Sequence, residues 1–185
     1  MKKPASVAVS INLPFGLGGL QGTWEPDESE QEAAWEMYVE LVTLVAVVEL
    51  RPNEGLLREA LFSLHSLFDT TRSILRAHGP GVAQAKGRGS YSFGLLAVVI
   101  LNDVLRPVLA KWHPLLLDYE GTRPDALSQT EHEDAWPHGD ELRSVLNEVR
   151  DTLAQYGELL ASVAGVPSLL VRDGVAPNGP QGTDR

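Results

Sequence analysis

The sequence predicts an all-α fold: an antiparallel four-helix bundle with a kinked third helix, preceded by a short extended, strand-like arm. Apolar residues recur at intervals of three and four over long stretches, the period of a helix with one buried face. Two helix starts are written as capping boxes, Asp27 with Glu30 and Ser128 with Glu131. Connections between the stripes are short, so successive helices must cover one another. The expected division is 1–26 as arm and glycine-rich turn, 27–168 as helical bundle, and 169–185 as a flexible tail.

Taken in order, Ser6 to Leu13 alternates, with Val7, Val9 and Ile11 on one side and Ala8, Ser10 and Asn12 on the other, which reads as one strand. Gly16, Gly18, Gly19 and Gly22 follow. They do not make a dinucleotide fingerprint, because Gln21 stands where G-x-G-x-x-G needs its third glycine and Thr23–Pro26 delays the next helix. A flexible turn laid over the bundle is expected. The first helix starts at Asp27, with Trp35, Tyr38, Val39, Val42, Val45 and Ala46 as its stripe; the β-branched end Val45–Val48 can finish extended. The second takes Asn53 as N-cap, buries Leu57, Ala60, Leu61, Leu64, Phe68, Thr71 and Leu75, and stops at Gly79-Pro80.

The stretch Gly79–Ser90 carries Lys86 and Arg88 but lacks the G-K-[ST] ending of a phosphate loop, so it reads as a mobile connector. The third helix runs from about Ser92 to Glu120 and is apolar nearly all round up to Leu101. Pro107 and Pro114 each remove a backbone donor, which predicts a kink or a split. The fourth follows Ser128, with Leu142, Val145, Leu146, Val149, Leu153, Tyr156, Leu160 and Val163 as its stripe and Gly165 and Pro167 as its stop. From Arg172 onward there is no periodicity.

Composition narrows the functions. The 185 residues include no cysteine, which excludes thiolate metal sites, redox motifs and thiol nucleophiles. Twenty-five Asp and Glu against fifteen Lys and Arg give a formal charge of −10, which repels phosphate backbones and anionic lipid. Met1-Lys-Lys-Pro mimics the start of a signal peptide, but Ser6, Ser10, Asn12 and Pro14 interrupt its apolar part. The apolar window Phe93–Leu117 holds Asn102, Asp103, Arg106, Lys111 and His113, each costly at a bilayer centre. A cytoplasmic protein with this segment as a core helix is expected.

The candidate chemistry centres on the third helix. Arg106 and His113 lie seven residues apart and share a helical face. Their R-x6-H interval resembles the loose pattern of HEPN-type ribonucleases, which are also helical bundles. The resemblance implies that the Arg and His engage the 2′-hydroxyl and scissile phosphate of RNA across a dimer; Pro107 departs from the usual polar residue after the Arg. Arg72 and His78 give a second match to the loose pattern, at R-x5-H. The plainer reading has Arg106 reach a carboxylate or helix-terminal carbonyls while His113 caps the helix before Pro114. Asn102 and Asp103 read as a buried polar network, or as the wall of a ligand cavity with Arg106 and Trp112. Glu131-His132-Glu133-Asp134 with His138 lacks metal-ligand spacing and reads as a solvated helix start, so no metal or cofactor is expected. No G-x-S-x-G elbow is present. Trp24, Trp35, Trp112 and Trp136 are expected to be packing anchors.

Trp35–Thr43, Leu56–Phe68 and Leu105–Pro114 resemble segments of small helical bacterial proteins that accompany conflict or defence genes. Together these readings favour a non-enzymatic interaction or regulatory module, docking through residues 1–26 onto a larger effector or signalling protein, with self-association as an option. The alternative is the HEPN-like, metal-independent ribonuclease using Arg106 and His113.

Overall fold

The computed structural model describes residues 5–44 and 55–170. They form a mostly helical fold with a small three-stranded sheet, ordered β1–β2–β3. The alternating segment is strand β1 (Val7–Asn12), and the glycine-rich stretch folds back as β2 (Gly19–Trp24), antiparallel, with Val7 opposite Trp24. Phe15, Gly16 and Gly18 take positive φ in the connection.

The expected extended arm and turn form a hairpin that is part of the core. Val9, Ile11 and Trp24 are 2 %, 1 % and 0 % exposed. β1 lies along the last helix, α6 (Gly139–Ala164). There the Asn12 N–H donates to Gln155 Oε1 at 2.8 Å, the Thr152 hydroxyl donates to the Asn12 carbonyl at 2.9 Å, and Glu148 accepts from the Phe15 N–H at 3.1 Å. The turn is therefore pinned to α6 by bonds between its backbone and the side chains of Glu148, Thr152 and Gln155.

Helix α1 (Glu28–Thr43) opens with both halves of the Asp27/Glu30 capping box in place. Its buried face is Glu30, Gln31, Ala33, Ala34, Met37, Tyr38 and Leu41. Trp35 and Val39, assigned to the stripe by periodicity, are exposed. The alanines explain the difference. They are small enough to bring α1 close to its neighbours, α2 and α6, so the contact line runs over them rather than over the larger side chains. The expected N-cap Asn53 and the extended end Val45–Val48 lie outside the described residues, as does the tail beyond residue 170.

Helix α2 (Leu57–His78) has Leu56 at its N-cap position, which offers no side-chain acceptor. It stops at Gly79, whose φ of +71° suits glycine. The segment after it, read from the sequence as a mobile connector, packs against the fold. Val82 in the 3₁₀ turn Pro80–Ala83 is buried, and the Lys86 ammonium donates to the Glu25 carbonyl at 2.6 Å and to the Glu30 carboxylate. Strand β3 (Ser90–Tyr91) then pairs parallel with β2, a geometry that α1 and α2 make possible as the crossover between the two strands.

Helix α3 (Phe93–Val99) runs through a π turn (Ile100–Leu105) into α4 (Arg106–Glu120). The expected disturbance takes this form because Pro107 has no N–H for the carbonyl four residues back, and its ring crowds that carbonyl. The Arg106 N–H reaches five residues back, to Leu101, and the wide turn relieves the clash without ending the helix. Phe93–Glu120 is long and apolar enough to cross a membrane, yet over half of its most apolar window is buried within the fold. The expected fourth helix is two: α5 (Gln129–Asp134) and α6, separated at Ala135–His138, where Pro137 cannot continue an α-helical ladder. Side chains from β1, β2 and the helices share one hydrophobic core. The described residues are thus mostly helical, as expected, with a small sheet at the N-terminal end in addition.

Candidate functional site

Helices α2 and α4 run antiparallel, and polar and aromatic side chains pair across their seam. At one end Arg58 grips Glu120, with Nε to Oε1 at 3.0 Å and Nη2 to Oε2 at 2.5 Å. Further along, the His65 and His113 rings stack with centroids 6.4 Å apart. Beyond them the Arg106 guanidinium lies 5.4 Å from the Phe68 ring centroid and donates to Asn102 Oδ1 at 2.8 Å and 3.1 Å. Arg72 pairs with Asp69 one turn further on α2.

This geometry corrects several expectations. Arg106 reaches a side-chain amide and an aromatic face, not a carboxylate or a helix end. His113 does not cap a terminus, because α4 continues through Pro114 to Glu120. Asn102 and Asp103 are exposed, so they form no buried network. Trp112 is 2 % exposed and packs edge-on against Trp136 at 6.1 Å, so it does not join Asn102 and Arg106 around a cavity. Arg72 and His78 also part company: His78 contacts Ser29 at 3.2 Å and Glu36 at 3.0 Å. What the seam does gather is Arg106, His113, His65 and Phe68. The partners on α2 have a sequence signal only in hindsight, their spacing of three placing them on one face.

A second constellation surrounds Glu133, which is 4 % exposed. Its Oε1 accepts from the Leu57 N–H at 2.8 Å and lies 3.8 Å from the Arg143 guanidinium, while Oε2 has no partner. Glu133 thus supplies the cap that Leu56 cannot, from 76 residues away. Burial raises its carboxyl above the ordinary value, against the lowering effect of the α2 backbone N–H groups and Arg143. Beside it, the His132 and Tyr119 rings stack at 4.1 Å; the Tyr119 hydroxyl donates to the His132 carbonyl at 2.9 Å, and His132 Nε2 donates to the Tyr119 carbonyl at 3.0 Å. A cleft of about 240 Å³ opens over Tyr119, Glu120, Arg123, Gln129, His132 and Glu133. The Ser128/Glu131 capping box forms as read, but His132 and Glu133 are buried instead of solvated. Among the described residues no group of three or more His, Cys, Asp or Glu side chains is arranged to hold a metal ion.

A wider concavity lies elsewhere, between α1 and α2. It measures about 620 Å³ and is lined by Trp35, Glu36, Val39 and Glu40 from α1 and by Asp69, Thr70, Ser73, Ile74 and Ala77 from α2. Trp35 and Glu36 also border a neighbouring hollow of about 340 Å³, with Gln31, Glu32, Ala164 and Val166. Trp35, 42 % exposed, is the ridge between the two, whereas Trp24, Trp112 and Trp136 are at most 6 % exposed. The result is an apolar trough edged by carboxylates, suited to non-covalent docking. No family model, no curated protein and no solved structure matches this chain.

Proposed function

We propose that the chain is a non-enzymatic protein-interaction module, an accessory component of a bacterial defence or signalling system, that engages a larger effector or signalling protein through the α1–α2 groove. Trp35 carries this reading: an indole 42 % exposed at the lip of a trough of about 620 Å³, where two helices leave room for a third. Keeping indole and valine side chains in water forgoes roughly 25 cal/mol for each Å² of apolar surface, and a docked partner recovers that energy. An amphipathic helix laid in a groove between helices is a common form of such docking. The likeness of three segments to proteins that accompany defence genes supports the kind of system. Burial of the β1–β2 hairpin moves the proposed docking surface from the N-terminal residues to α1 and α2.

The test is to tag the full chain in its native host and identify what co-purifies, with Trp35→Ala alongside. A stoichiometric partner lost in the variant, with the thermal unfolding midpoint unchanged, is the expected result. Recovery of the protein alone, or a partner held equally by Trp35→Ala, counts against the groove.

The alternative, a HEPN-like metal-independent ribonuclease using Arg106 and His113, draws support from one observation: His65 stacks beside His113 on the seam that also bears Arg106. Cleavage of single-stranded RNA without added metal, lost in folded Arg106→Ala and His113→Ala proteins, is the outcome it requires.

A further inference from the structure

We infer that the occupant of the α1–α2 groove is a cationic amphipathic helix of two to three turns, contributed by the partner. This rests on the interaction-module reading and names the chemistry of its ligand. The groove's wall on α2 runs from Asp69 to Ala77, a rise of about 12 Å and so a little over two helical turns. Its floor is Ile74, 4 % exposed, and Thr70, Ser73 and Ala77 around it are small. Small residues let a third backbone approach to about 8–9 Å between axes, the spacing of packed helices. Trp35 and Val39 form the opposite wall and offer apolar contact to anchors spaced three and four apart on the incoming helix.

Charge selects the sign of the occupant. Glu36, Glu40 and Asp69 edge the groove, and Glu32 borders the adjoining hollow. Glu36 faces His78 and Asp69 faces Arg72, but Glu32 and Glu40 make no ion pair with any described residue. An incoming helix with Lys or Arg flanking its apolar stripe meets both. A second copy of this chain brings its own charge of −10 to an acidic surface, and nucleic acid or anionic lipid brings more negative charge still.

The experiment uses the full chain and two designed peptides with the same leucine heptad pattern, one with lysine flanks and one with glutamate flanks. Binding is read by fluorescence anisotropy at physiological ionic strength. The lysine peptide should bind saturably and the glutamate peptide should not. Trp35→Ala, and Glu32→Lys with Glu40→Lys, should each weaken binding roughly ten-fold or more. An equal charge change away from the groove, Asp118→Lys with Asp125→Lys, should alter it less than about two-fold at this ionic strength. All these positions are exposed, so unfolding midpoints should stay close to that of the parent chain. Equal weakening by the distant pair would reduce the effect to general charge attraction and overturn the inference. Undiminished binding by Trp35→Ala, or preference for the glutamate peptide, would overturn it too. If neither peptide binds while Trp35→Ala still loses the native partner, the cationic helix is wrong and the interaction-module reading stands.

Discussion

Removing the Glu133 carboxylate tests whether a residue in a six-residue helix holds the start of a much longer one. In Glu133→Ala the Leu57 N–H, at a residue 0 % exposed, loses its acceptor at 2.8 Å. A buried donor left without a partner costs about 1–3 kcal/mol, and loss of a helix cap falls within the same range. Against this, the alanine removes a buried carboxylate whose Oε2 has no partner, which returns part of the cost. The net expectation is a loss of about 1–2 kcal/mol, a fall in melting temperature of roughly 2–8 °C for a chain of this size. Glu133→Gln keeps an acceptor for Leu57 and discards the buried charge, so it should fall well short of the alanine at pH 7.

The pH dependence separates these contributions. Burial raises the carboxyl above 4.5 in the fold, so the folded chain binds this proton more tightly than the unfolded one. Stability from protonation is fully present below about pH 4.5 and is lost as pH rises through the raised value. The parent chain should therefore gain on Glu133→Gln as pH is lowered from 7 towards 4.5. Urea unfolding of the three proteins at both pH values measures this. Glutamine as damaging as alanine at pH 7 would refute the capping argument, and a parent chain that gains nothing on acidification would refute the claim that burial outweighs the N–H bonds at this carboxyl.

Three further outcomes follow from burial and close contact. Trp24→Ala should cost about 3–5 kcal/mol in chemical denaturation, and deletion of residues 5–24 should abolish cooperative unfolding, because Trp24, Val9 and Ile11 are core residues. Gly22→Ala should lower stability by about 1–3 kcal/mol, since its Cβ would sit 2.2 Å from the Gly89 carbonyl oxygen and 2.8 Å from the Tyr91 ring, pushing β2 and β3 apart. Arg106→Ala should change stability by less than about 0.5 kcal/mol because the side chain is exposed, whereas Trp112→Ala should cost about 3–5 kcal/mol. A melting series containing both checks which face of α4 is structural.

Features set by neighbouring residues were legible in the sequence. Both capping boxes form, the stop at Gly79 holds, and the disturbance at Pro107 is real, because each depends on a few consecutive residues. Its resolution as a π turn depends on how Phe93–Glu120 packs. Strand β2, Gly-Leu-Gln-Gly-Thr-Trp, has little strand propensity and exists because β1 and Gly89 present bonding partners; β3 is two residues long. Trp35 and Val39 misled the periodicity because hydrophobicity outweighs size in such a reading, while α1 packs through Ala33 and Ala34. The same displacement leaves the groove unpaired, so the candidate docking surface was invisible for the reason the core face was misassigned. Arg106 and His113 were singled out correctly as a shared face, but their neighbours on α2 come from tertiary pairing. Glu133 and Leu57 are joined across 76 residues with no local signal.

Glu30 shows what such long-range joining does to motion. One carboxylate, 0 % exposed, accepts from the Asp27 N–H at the head of α1 and the Phe93 N–H at the head of α3, and meets the Lys86 ammonium between them in the chain. Neither helix start can fray alone without stranding a buried charge. Amide protons at Asp27 and Phe93, 66 residues apart, are thus bound into one opening event and should exchange with solvent at a common free energy, as a single cooperative unit spanning the parallel crossover.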